Sequence, residues 1–253
     1  MSKSARARER LLYLLSPIGL LALWELLLQI GIGDRRFIPA PSDVAVSFVT
    51  LLLDGTLLPH VAATLWRVAA GFVLGVVPGI LVGLLMSMFR PARYFFDPLI
   101  AALFPIPKVA LMPLILMWFG FGDASKIAPV AIGVFFPVAV NTYAGAANID
   151  RLYLDVAKNC GASWLRTFHR VVFFGALPMI FAGLRIAVSV AFLILVAAEF
   201  VSSKSGIGFL IWNSWQLLEV DRMFVGIVLI GLIGVVAANL LRELERVAIP
   251  WSR

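Results

Sequence analysis

A chain of 253 residues that is 62% hydrophobic and 14% charged, with a mean hydropathy of +1.00, is not an ordinary soluble domain, which carries about 25% charged residues. The net charge of +7 does not point to nucleic acid, because Lys and Arg sit in short blocks between apolar runs and not along one face. A single cysteine, Cys160, excludes an intrachain disulfide and cannot by itself make a zinc site, so membrane lipid is the expected surrounding and no metal is expected.

A helix crosses the hydrocarbon in about 20 apolar residues. Six runs reach that length: 11–31, 62–89, 99–120, 126–144, 178–201 and 223–241. The expected fold class is an all-α integral membrane protein with about six transmembrane helices. The basic start (Lys3, Arg6, Arg8, Arg10) resembles the n-region of a signal peptide, but the apolar run after it is too long and five more follow, so it is expected to be an uncleaved anchor. With the N-terminus in the cytoplasm, Arg90, Arg93, Arg151, Lys158, Arg166, Arg170, Arg242, Arg246 and Arg253 share that side. The other side keeps Arg35, Arg36, Lys126, Lys204 and Arg222. The positive-inside rule then predicts both termini cytoplasmic.

After the first span, where Glu25 and Gln29 read as solvated or headgroup-paired, Pro39-Ala40-Pro41-Ser42-Asp43 leads into an apolar run too short to cross the bilayer. It is expected to lie along the outer interface, with Ser42 or Asp43 as N-cap. The second span carries Gly71, Gly75, Gly79 and Gly83, a face stripped of side chains that lets another helix approach, either within the subunit or at a seam between subunits. Pro78 in its middle implies a kink.

The third span holds Pro105-Ile106-Pro107-Lys108. Two prolines remove backbone donors, and the lysine follows at a depth of roughly 13 Å. A broken helix beside a buried charge suits a transport pathway; a snorkelling Lys108, or one paired with Asp97, is the plainer reading. Arg67, Asn141, Arg185 and Glu199 are the other polar groups near the spans and complete the candidate translocation path.

Between the fourth and fifth spans lies a polar island, Asp150 to Arg170. Tyr153, Ala157, Cys160, Trp164, Phe168 and Val171 recur at helical spacing, while Lys158, Arg166 and Arg170 remain for solvent or a partner. Gly161 interrupts the pattern and Ser163 can cap a second helix. The expected shape is helix, sharp bend, helix: a cytoplasmic docking surface. Ser202 to Arg222, with Gly206, Gly208, Trp212 and Trp215, reads as a short re-entrant or interfacial element.

Asp155-Val156-Ala157 followed after three residues by Gly161 resembles the cytoplasmic EAA motif of binding-protein-dependent ABC importer permeases. The segments Phe37 to Ser42, Pro105 to Leu114, Trp118 to Gly122, Gly133 to Pro137 and Gly206 to Ile211 are similar to the nitrate, sulfonate, taurine and bicarbonate branch. The likeness covers nearly the whole chain after about residue 35. Asp155 stands where the motif usually has Glu, Val156 replaces its first Ala, and Phe174 stands where Pro often ends it.

The resemblance implies a type I ABC importer permease: one of two copies, expected to be a homodimer, lining a pore in the bacterial inner membrane. Asp155, Val156, Ala157, Gly161, Trp164 and Arg166 would couple to a cytoplasmic ABC ATPase dimer, and a periplasmic or lipid-anchored substrate-binding protein would deliver a small anionic solute. The chain has no Gly-x-x-x-x-Gly-Lys-Ser/Thr loop, so no cofactor is expected on it, and ATP with Mg would sit on the partner ATPase. The implied organisation is an anchor and outer segment over 1–57, a transmembrane domain over 58–242 containing the coupling segment 148–174, and a cytoplasmic tail over 243–253. The alternative is a self-contained secondary transporter, which needs ion-coupling carboxylates in mid-span and usually shows a repeat. An intramembrane enzyme needs a nucleophile and base at matching depth, whereas His60 and His169 lie at opposite edges.

Overall fold

A computed structural model describes residues 3–251, with side-chain surroundings from Leu15 onward. Among the described residues every regular element is helical: α1 (Lys3–Gln29), α2 (Pro41–Leu53), α3 (Leu57–Met88), α4 (Arg90–Leu103), α5 (Met112–Phe119), α6 (Ala124–Ala147), α7 (Arg151–Asn159), α8 (Trp164–Thr167), α9 (Phe173–Ser202), α10 (Ile207–Gln216) and α11 (Val220–Ala248). Four of the described helical stretches are long and apolar enough to cross a bilayer: α3, α6, α8 continued into α9, and α11. The run expected at 99–120 is a bent pair, α4 and Lys108–Phe119 meeting at 89°. In α1 the described apolar part is Leu15–Gln29.

The centre is α6, packed between α3 and α9. Val130, Val134 and Val138 of α6 meet Ile180, Leu184 and Leu195 of α9 in one buried cluster. The four glycines of α3 set its distance from α6. A Cβ on Gly71, Gly75, Gly79 or Gly83 would lie 2.7, 2.8, 3.0 and 2.6 Å from the Cβ of Val130, Val134, Val138 and Thr142 respectively. Both helices thus advance by four residues per contact, and the glycine face is an intra-subunit seam. α3 continues as one helix through Pro78.

The bend after α4 follows from sequence. Pro105 and Pro107 carry no N–H, so the helix cannot bond through them; a 3₁₀ turn at Lys108–Leu111 reorients the chain before α5 starts, with Pro113 in its first turn. α2 begins differently from expectation. Ala40, not Ser42 or Asp43, is its N-cap residue, and Asp43 reaches back from the first turn to accept the Ala40 N–H at 3.2 Å. Pro41 supplies the fixed φ that suits a first helical position. Glu25 is not left to solvent: its carboxylate accepts Gln29 Nε2 at 3.0 Å and the Ser42 N–H and hydroxyl at 3.0 and 2.9 Å, joining α1 to α2. In the turn between them the Arg36 side chain donates to Asp34 and holds that carboxyl below the usual carboxylate range. α11 continues to Ala248, and Ile249 is buried in the central cluster.

Candidate functional site

The polar island folds as helix, bend, helix. Asp150 caps α7 by accepting the Leu152 N–H at 2.9 Å. Gly161 then takes φ +69°, a left-handed conformation that lets the chain reverse. Ser163 occupies the N-cap position of α8 with extended backbone but without a side-chain bond. A π-helical turn, Phe168–Val172, joins α8 to α9. Wider turns of this kind interrupt helices where a segment must be re-aimed.

No residue of α7 is buried. Leu152, Tyr153, Val156, Trp164 and Leu165 are each more than half exposed, with Asp155, Lys158 and Arg166 exposed among them. Ala157 is half-buried and Gly161 exposed. The stripe expected from spacing splits in two: Phe168 packs against the central cluster, while Trp164 stacks on Phe168 and approaches Phe89 at the end of α3. Apolar side chains standing out together on a short amphipathic helix make an exposed patch of the kind that marks an interaction site.

At the far end of α9, which with 30 residues spans about 45 Å, a second constellation appears. Glu199 is fully buried. Its carboxylate accepts Arg67 Nη1 at 2.8 Å, Thr64 Oγ1 at 3.1 Å and the Gly208 N–H at 2.8 Å. Thr64 Oγ1 accepts the Ile207 N–H at 2.7 Å, and His60 Nδ1 the Gly206 N–H at 3.1 Å. The first N–H groups of α10, which have no partner within their own helix, are therefore satisfied by side chains of α3 and α9. Arg67 also donates to Asp123 at 2.8 Å, to the Ser203 hydroxyl and to Ser205. Gly206 has φ +113°, and a Cβ there would collide with the Glu199 carboxylate, so the loop accepts only glycine. Asp123, Thr64 and His60 were not among the sequence candidates.

Of the five path candidates only two meet. Arg67 and Glu199 are in contact. Lys108 lies near Gly133, seven residues beyond Lys126 on α6 and about 10 Å deeper. Asn141 packs where Gly183 has no side chain and donates to the Pro137 carbonyl at 2.8 Å. Arg185 is ion-paired with Glu245 of α11. Lys108 does not meet Asp97: its ammonium donates to the Leu103, Phe104 and Ile106 carbonyls at 2.8, 3.0 and 2.7 Å, and faces the Phe136 ring at 4.5 Å. It thereby ties together three carbonyls around the proline break, where helical bonding is incomplete. Lys108→Met should therefore lower folded yield and unfolding temperature together with uptake, because it removes three hydrogen bonds from a charged donor, each worth about 1.5–3 kcal/mol. A fully folded Lys108→Met chain that selectively loses uptake would instead make Lys108 a solute contact.

Residues 71–247 match the profile of the family described as "Binding-protein-dependent transport system inner membrane component". The chain belongs to that family. Among its relatives, the putative aliphatic sulfonates transport permease protein SsuC of Escherichia coli is 37% identical over 236 residues, covering 93% of this chain and 90% of the relative. The taurine transport system permease protein TauC of the same organism is 33% identical over 237 residues, covering 92% and 86%. A chain of the MetNI methionine ABC transporter, a structure described as inward facing, superposes with a TM-score of 0.67 at 18% identity, over 76% of this chain and 95% of that one. This permease thus has the type I ABC importer fold and is a multi-pass membrane transport component, similar to the sulfonate and taurine permeases, and not an enzyme.

Proposed function

We propose that this permease is the pore-forming subunit of an ATP-driven importer that moves a small anionic solute across the bacterial inner membrane by alternating access. Two copies form the pore, ATP and Mg sit on a separate cytoplasmic ATPase dimer, and a substrate-binding protein delivers the solute at the outer face. The observation that carries this reading is the exposed apolar surface of α7 and α8 around the left-handed Gly161, at the position matching the EAA motif. An ATPase can favour one of two permease conformations only by contacting them differently, and this segment feeds through one turn into the long helix α9. The bent pair held by Lys108 shapes the path, and the Arg67 and Glu199 constellation lies at its outer end. The anionic character of the solute rests on the sulfonate and taurine relatives and on the basic groups of the chain.

Sidedness tests the assignment. Cysteines placed at 166, 43 and 203 in a Cys160→Ser background should react with an impermeant thiol reagent from opposite sides: position 166 only from the cytoplasm, positions 43 and 203 from outside. Labelling of position 166 in intact cells would contradict the orientation on which ATPase docking depends.

A further inference from the structure

Beside the Glu199 constellation a cavity of about 670 Å³ opens at the end of α9, lined by Arg67, Phe121, Lys126 and the run Ser202-Ser203-Lys204-Ser205. This lies within the size range of small-molecule sites, roughly 300–1,000 Å³. Three of its lining residues are cations, and two of these, Arg67 and Lys126, are buried and held in place. Lys126 is 1% exposed and donates to the Phe121, Gly122 and Ser202 carbonyls at 2.7, 3.1 and 2.7 Å. Arg67 is 5% exposed and held by Asp123 and Glu199. Lys204 stands exposed, so three cations face two carboxylates around the opening.

The directional donors point the same way. Ser205 Oγ accepts from Arg67 Nη2 at 2.9 Å, which leaves its own proton for an acceptor in the cavity. Lys204 adds an ammonium free to turn toward the same acceptor. The backbone there cannot drift, because the N–H groups of Gly206, Ile207 and Gly208 are fixed on His60, Thr64 and Glu199. A pre-positioned hydroxyl and a mobile ammonium, in surroundings with one positive charge in excess, form a receptor for a tetrahedral or planar oxyanion.

We propose that this cavity is an outer subsite that binds the oxyanion group of the solute before it passes into the membrane interior, with Lys204 and Ser205 as the contacting residues. The proposal rests on the anionic-importer reading but concerns a site of its own. A carboxylate of the delivering protein presents the same chemistry, and the test separates the two.

The full-length permease carrying Ser202→Cys and Cys160→Ser, in lipid nanodiscs without partners, would be labelled by an uncharged thiol reagent in the presence of ethanesulfonate. Saturable slowing of labelling is expected. Lys204→Gln should raise the half-protecting concentration about tenfold, the loss of one charge-assisted hydrogen bond, and Lys204→Arg should restore most of it. The proposal is overturned if labelling is not slowed, if sodium chloride at equal ionic strength slows it equally, if Lys204→Gln leaves protection unchanged, or if protection needs the binding protein. Uptake of ethanesulfonate by the reconstituted complex reports separately on transport: uptake without protection removes the subsite alone, and protection without uptake removes the importer reading alone.

Discussion

Glu199→Ala should abolish most folded, monodisperse protein, although the residue touches neither the coupling surface nor the bent span. Its carboxylate satisfies Arg67, Thr64 and the α10 backbone at once. Removing it leaves a guanidinium that is 5% exposed with one carboxylate, Asp123, on its outer side. Breaking a buried pair by deleting one partner costs about 3–5 kcal/mol, a large part of a typical net stability of about 5–15 kcal/mol. The loss of an acceptor for Gly208 adds to it. Glu199→Gln keeps the shape and one acceptor and should be intermediate. The double change Arg67→Met with Glu199→Met should be milder than Glu199→Ala, since no charge is then stranded. Unfolding midpoints in detergent decide this; a Glu199→Ala midpoint equal to the parent would show that the constellation does not hold α3, α9 and α10 together.

Gly161→Val should reduce solute-stimulated ATP hydrolysis and uptake by at least about tenfold while leaving membrane insertion intact. Nothing lies within 4 Å of a Cβ at this position, so the effect cannot come from a clash. It comes from φ +69°, which costs a non-glycine residue about 1–2 kcal/mol and a β-branched one more. The strain is relieved by swinging α7 away from α8, which separates the two halves of the docking surface. Asn tolerates left-handed backbone, so Gly161→Asn should retain most coupling. Equal activity of the Val and Asn variants in a reconstituted complex would refute a role for the bend.

What the sequence disclosed depended on whether the deciding interaction was local. The bend at Gly161 and the break at Pro105 and Pro107 were legible because one glycine conformation and two missing N–H groups act where they stand. The spacing of Gly71, Gly75, Gly79 and Gly83 announced a close helix approach but could not name α6 as the partner, since the register lies in Val130, Val134, Val138 and Thr142, more than 50 residues away. Glu199 was visible only as a polar group near a helix end. Its meaning comes from three chain segments meeting it, and Thr64 and His60 carry no signal until they do. The partners of Lys108 were hidden for a related reason: they are backbone carbonyls, which no side-chain pattern reveals. Asp43 accepts the N-cap N–H from the first turn of α2, because Pro41 starts the helix two residues earlier than a Ser42 cap would allow.

The claim on which the account depends most is that α7 and α8 form a docking surface for a separate ATPase. A photo-crosslinking amino acid placed at Leu165, which is 67% exposed on α8, and at Phe37, 71% exposed in the turn before α2, can be activated in cells that are actively taking up solute. The expected result is a single ATP-binding polypeptide attached through position 165 and none through position 37. An active transporter that yields no ATPase adduct at 165, or the same adduct at both positions, would contradict it.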